Sequence, residues 1–188
     1  MAELNTKIKF TYEDYKSLPE SETKRYELLE GELIMVPSPS FKHQLILANL
    51  ADHLREFVGK NDLGMVLFAP LDVILSEGTV LQPDILFIAR KRADIAVGEG
   101  IHGAPDLVIE ILSPATAERD RTYKRTLYAR HGVREYWIVD PEAKTVEVFS
   151  LGERGFILVR AYTGTERLGS PLMEGLTIDL RKVFEIGS

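Results

Sequence analysis

The chain has 188 residues, enough for one domain with a real core, and its 45% hydrophobic and 28% charged residues are ordinary for a soluble globular protein. No run reaches the roughly 18–20 apolar residues of a membrane span, the polar Met1–Tyr12 stretch is not a secretory leader, and the absence of cysteine excludes disulfides and thiolate metal sites while fitting a cytoplasmic location. A net charge of −6 argues against a protein that coats nucleic acid non-specifically, yet it leaves room for a local basic face.

Thr11-Tyr12-Glu13-Asp14 reads as a capping box opening a short helix to about Leu18, which Pro19 stops. Tyr26–Leu29 and Glu32–Met35 flank Glu30-Gly31 as a hairpin. Ser40 then caps a helix to about Lys60, in which Leu47, Leu50, Leu54, Phe57 and Val58 fall at helical spacing. Strands are expected at Met65–Phe68 and Leu71–Leu75, and after the Gly78 turn in the segment carrying Asp84. Arg90 to His102 reads as a polar, glycine-bearing connection with at most a short helical turn. The strand Leu107–Leu112 follows, then a second long helix from Thr116 to Arg130, with Gly132 as its stop. Glu135–Asp140 and Thr145–Ser150 form a hairpin around Pro141-Glu142, and Phe156–Tyr162 and Leu176–Asp179 are further strands. The pattern is one mixed α/β domain over residues 1–188, a central sheet flanked by a few helices.

Glu110 stands in the middle of the apolar run Leu107-Val108-Ile109-Glu110-Ile111-Leu112. An unpaired carboxylate there costs several kcal/mol or more, so it finds a cation, a metal or a proton. Asp84 has a similar frame in Pro83-Asp84-Ile85-Leu86-Phe87-Ile88. If the two strands are neighbours, the carboxylates converge. Two hard oxygen ligands of this kind suit Mg²⁺ or Mn²⁺, and with a nearby lysine they make a metal-dependent phosphodiesterase site. The bland alternative for Glu110 is a buried ion pair without metal, and for Asp84 a strand-start acid bonding local amides.

Gln82-Pro83-Asp84, Gly103 to Pro114 and Gly132 to Pro141, with Tyr26 to Glu32, Pro37-Ser38-Pro39 and His43, resemble the Uma-type restriction endonuclease family of the PD-(D/E)xK nuclease superfamily, which is widespread in bacteria. The resemblance runs from about Tyr12 to Val183. It implies a restriction-endonuclease-like fold with an N-terminal β-hairpin extension, and magnesium-dependent cleavage of DNA. On the family pattern Asp84 and Glu110 are the two acids. The superfamily lysine is expected two residues after the second acid, where this chain has Leu112. The resemblance puts that role on Lys124 of the following helix instead. It also makes Glu27 and His43 candidate additional ligands, against bland readings as an exposed hairpin glutamate and a surface or capping histidine. Nucleases of this fold often work as dimers, which makes a homodimer the expectation.

From Ala115 to Arg134 there are six Lys/Arg against two acids, so Arg119, Arg121 and Arg125 are candidates for holding backbone phosphates, with a solvated helix face as the alternative. Asp72 is a candidate supporting acid, Trp137 a core residue, and His53 and His131 lack zinc spacing. Gly98-Glu99-Gly100-Ile101-His102-Gly103 satisfies G-x-G-x-x-G, but no helix follows it, so a nucleotide cofactor is not expected. The missing lysine at Leu112 and the acidic net charge leave a second reading open: a nuclease fold without catalysis, serving as a DNA-binding or assembly module.

Overall fold

A computed structural model describes residues 8–19 and 25–185; residues 1–7, part of the stretch read as lacking a leader, lie outside it. Thr11 caps α1 (Tyr12–Lys16) through the expected reciprocal box with Asp14. The hairpin of β1 (Arg25–Leu29) and β2 (Glu32–Val36) turns at Glu30 and Gly31, whose φ values of 49° and 88° are the left-handed pair a two-residue hairpin needs. Ser40 accepts from the His43 N–H at 3.2 Å and starts α2 (Phe41–Lys60).

The central sheet is formed by β3 (Gly64–Phe68), β6 (Ile85–Ala89), β9 (Leu107–Ile111), β10 (Glu135–Asp140), β11 (Thr145–Gly152) and β12 (Gly155–Thr163), in the order β12-β11-β10-β9-β6-β3. Only β9 and β10 run parallel in it. A parallel pair needs a crossover of a dozen residues or more, and the helical segment between them supplies it. Ile85, Phe87, Leu107, Ile109, Ile111, Trp137 and Val139 pack with Ile46, Leu50 and Leu54 of α2 on one face. Each such side chain, fully buried, contributes about 1.5–3 kcal/mol. The alternate residues Val108, Leu112, Tyr136 and Ile138 face the other way, against Leu29, Leu81, Leu127 and Tyr128. Glu110 belongs to this second face.

Several features differ from the sequence reading. The β1–β2 hairpin does not stand alone. With β4 (Val73–Ser76), β5 (Thr79–Leu81), β7 (Ala96–Val97) and β8 (Gly100–His102) it builds a second six-stranded sheet, β2-β1-β5-β4-β8-β7. The segment before Asp84 is therefore split: β5 ends at Leu81 in one sheet, and β6 begins at Ile85 in the other. Proline 83 lacks the N–H that a continuous strand would use there. The connection Arg90–His102 is a 3-10 turn (Arg90–Ile95) plus the small β7–β8 hairpin, so the glycine motif sits in a hairpin and no helix follows it. The second long helix is α3 (Ala117–Arg119) and α4 (Arg125–Arg130) joined by a π-helical turn over Asp120–Lys124. Such turns insert an extra residue and are frequent at functional sites. Gly132, at φ 87°, follows it as expected. The last expected strand shrinks to β14 (Ile178–Asp179), paired with β13 (Arg167–Leu168) ahead of α5 (Leu180–Val183). Among the described residues, no helix is long and apolar enough to cross a membrane.

Candidate active site

Strands β6 and β9 are antiparallel neighbours with Ile85 opposite Ile109, so Asp84 lies one step further, beside Glu110. The main chain fixes Asp84: the Ile111 N–H donates to its Oδ2 at 2.7 Å, and His43 Nε2 from the first turn of α2 lies 3.1 Å from the same oxygen. Glu110 Oε1 accepts from Lys124 Nζ at 3.2 Å and from the Tyr128 hydroxyl at 2.7 Å. Lys124 also donates to Glu27 Oε1 at 2.9 Å and lies 3.5 Å from Asp120 Oδ1. Glu27 Oε1 in turn accepts the Gln82 N–H at 3.0 Å. A further layer follows, where Tyr15 and Gln82 both donate to Asp72 Oδ1 at 2.9 Å.

Glu27, Glu110, Asp120 and Lys124 are all buried. Burial raises the Glu110 carboxyl well above the usual range; Lys124 opposes this, while Asp120, Asp84 and Glu27 add to it. Burial raises Asp120 as well. For Lys124, burial alone would favour the neutral amine, but Glu110, Glu27 and Asp120 outweigh it and hold the ammonium charged. For His43, burial works against the charged ring, but the hydrogen bond and the charge of Asp84, with the Ile111 backbone, together outweigh it and raise the imidazole above its ordinary value. The balance is an acidic pocket with more carboxylates than cations.

A cavity of about 60 Å³ touches Asp84, Glu110, His43, Glu27, Asp120 and Lys124. It shares Pro37, Ser38 and Ser113 with a wider groove of about 450 Å³ that runs to Asp140 and Glu142. Asp84 Oδ1 and Glu110 Oε2 make no hydrogen bond to described residues. No set of three or more His, Cys, Asp or Glu residues among the described residues is arranged to enclose a metal. Any ion here would rest on two carboxylates and water rather than on a full protein cage.

The five residues Asp84, Glu110, Lys124, Glu27 and His43 thus come together from five separate stretches of the chain. Glu27 is not the exposed hairpin acid of the bland reading, and His43 is not a surface residue. The three arginines do not join them. Arg121 is held by Asp140 at 3.2 Å and by Glu147, Arg125 stacks on Phe149 at 5.3 Å and lines a separate groove, and Arg119 lines another beside Glu118. Asp120 and Tyr128 were missed as members of the cluster. Their spacing from Lys124, four residues to either side, was the available signal. Arg25 at the cavity wall left none.

A protein of Anabaena variabilis described as a putative nuclease belonging to DUF820 has the same fold, with a TM-score of 0.77 at 23% identity over 93% of this chain and 97% of that one. Two uncharacterized proteins of Synechocystis sp. are similar in sequence. Sll1609 is 25% identical over 84% of this chain and 90% of its own length, and slr1290 is 24% identical over 85% and 84%. The Uma2 family, described as putative restriction endonuclease, matches residues 12–181, and the chain belongs to that family.

Proposed function

We propose that this protein is an endonuclease that hydrolyses DNA phosphodiester bonds with Mg²⁺ or Mn²⁺. The observation that carries the proposal is the placement of Asp84, just ahead of β6, beside Glu110 of β9, each with one carboxylate oxygen unbonded among the described residues, at a cavity walled by an excess of acids. A divalent ion fits this donor set. The oxygens are hard, Mg²⁺ ordinarily takes one or two carboxylates and keeps several waters, and one water needs only about 10–15 Å³ of such space. Asp84 and Glu110 would hold the ion. A bound ion of this kind supplies hydroxide near neutral pH and stabilises charge on phosphoryl oxygens.

The chain's own groups do the rest. The Ile111 amide and His43 lock one oxygen of Asp84 and leave the other for the ion. Lys124 and Tyr128 do the same for Glu110. Such supporting bonds orient ligands and set their basicity. Lys124 offsets the carboxylates' mutual repulsion and lies where an ammonium can orient the attacking water. Water attacks phosphorus in line, the P–O bond on the opposite side breaks, and its oxygen leaves with a proton. The reading carries with it a single domain, a cytoplasmic location, no nucleotide cofactor and a dimer whose two sites face the two strands.

The test is nicking of supercoiled plasmid. Native protein is expected to nick with Mg²⁺ or Mn²⁺ and not in chelator, and Asp84→Asn to lose the activity while melting normally. Folded native protein that never nicks would favour the non-catalytic module, and equal nicking by Asp84→Asn would place the activity elsewhere.

A further inference from the structure

Lys124 is occupied. It is buried, and three carboxylates lie within 3.5 Å of its nitrogen. Two of its three N–H groups are spent on Glu27 and Glu110 and the third lies on the Asp120 side, within reach of a water inside the acid layer, so the ammonium is poorly placed to grip a phosphate that arrives from solvent. A phosphodiester entering this acidic pocket nonetheless needs a cation outside the carboxylate layer. Arg119, Arg121 and Arg125 all lie off the cavity.

Arg25 does line it. It is the first residue of β1, opposite Val36 in the hairpin, and shares a strand face with Glu27 two residues on. It is only half-buried. No hydrogen bond or ion pair joins its guanidinium to any described residue, in a cavity that holds four carboxylates. An arginine left unpaired beside so many acids is placed outward of them. There its planar fork matches two phosphate oxygens at once, which a lysine cannot do.

We propose that Arg25 is a substrate-contacting catalytic residue that binds the non-bridging oxygens of the scissile phosphate. The inference rests on the nuclease reading and assigns a phosphate clamp within it. Arg25 neutralises charge that grows on those oxygens as the bond to water forms, while Lys124 stays with the acids.

The test compares native protein with Arg25→Met and Arg25→Lys on one DNA carrying a single scissile phosphorothioate, with the two diastereomers separated. Removing a preorganised donor of this kind lowers turnover by about 10²–10³-fold. Arg25→Met is expected to show that loss, with an unchanged melting temperature and unchanged Mn²⁺ affinity by calorimetry. Arg25→Lys should recover only part of it. Sulfur at the contacted oxygen should slow the native enzyme and have little further effect on Arg25→Met, a pattern that a merely structural arginine would not produce. Native-like cleavage by Arg25→Met, equal sulfur effects in both proteins, or a matching loss of Mn²⁺ affinity would overturn the clamp while leaving the nuclease reading intact. Native protein that cleaves nothing with either metal would overturn both.

Discussion

Replacing Lys124 by Met removes one buried charge and strands three. In the native protein Lys124 contacts Glu27 at 2.9 Å, Glu110 at 3.2 Å and Asp120 at 3.5 Å, and none of the four side chains is more than 6% exposed. Taking one partner from a buried ion pair costs about 3–5 kcal/mol, because the remaining charge loses its compensation. At about 2–4 °C per kcal/mol for a chain of this size, the melting point should fall by roughly 6–20 °C at pH 8 in chelator. The deficit should shrink as the pH is lowered toward 5, because Glu110 and Asp120, already raised by burial, take up protons and cease to repel. The native contribution of Lys124 behaves oppositely. Its folded pKa is raised above the ordinary 10.5, so its stabilisation is complete below that value and is lost only in stronger alkali. Adding Mn²⁺ at about 100 times its dissociation constant should restore about 2.7 kcal/mol if the ion still binds. Thermal and urea unfolding of both proteins across pH 5–8, with and without metal, measure the deficit, its pH dependence and the metal's effect. A variant within 1 kcal/mol of native at pH 8 in chelator, with a difference that does not change with pH, would refute the charge accounting.

Glu110→Gln should alter the pH profile in a defined direction. The folded pKa of Glu110 is raised above its ordinary 4.5, so metal-free native protein loses stability as the pH climbs from that value through the folded one, and the variant should show a shallower decline in melting temperature. Mn²⁺ competes with the same proton, so calorimetric affinity of the native protein should rise with pH and that of the variant should be weak throughout. Gly31→Ala should cost about 1 kcal/mol or more in urea unfolding, since its φ of 88° suits glycine and an added Cβ would meet the Lys9 side chain at 2.7 Å; a neutral result would mean that the turn relaxes freely.

Much of the site could be read from the chain because its decisive features are local. The run Leu107 to Ile111 announces a strand, and a strand fixes the face of Glu110. Ser40 and the apolar spacing after it announce α2, which delivers His43. The meeting of Asp84 with Glu110 required only that two apolar strands be neighbours. What was hidden depends on long-range choices. Glu27 reaches Lys124 across 97 residues, and nothing near Glu27 marks it as buried. The split at Gln82-Pro83-Asp84 between two sheets looks like a turn within one strand. The π-helical turn over Asp120–Lys124 leaves no periodic signature, yet it is the stretch that buries both of those residues. Arg121 looked free because its partners Asp140 and Glu147 come from the hairpin beyond. A local charge count carries no information about such partners, nor about which arginine lines the cavity, which is Arg25.

The central claim is that a divalent ion occupies the space between the two unbonded carboxylate oxygens. A crystal soaked in Mn²⁺ and measured at the manganese absorption edge tests it most directly. The account predicts an anomalous peak in contact with both Asp84 and Glu110, with Lys124 still bonded to Glu27. Density that shows no peak at these acids at millimolar Mn²⁺, or a peak at another group of residues, would contradict it.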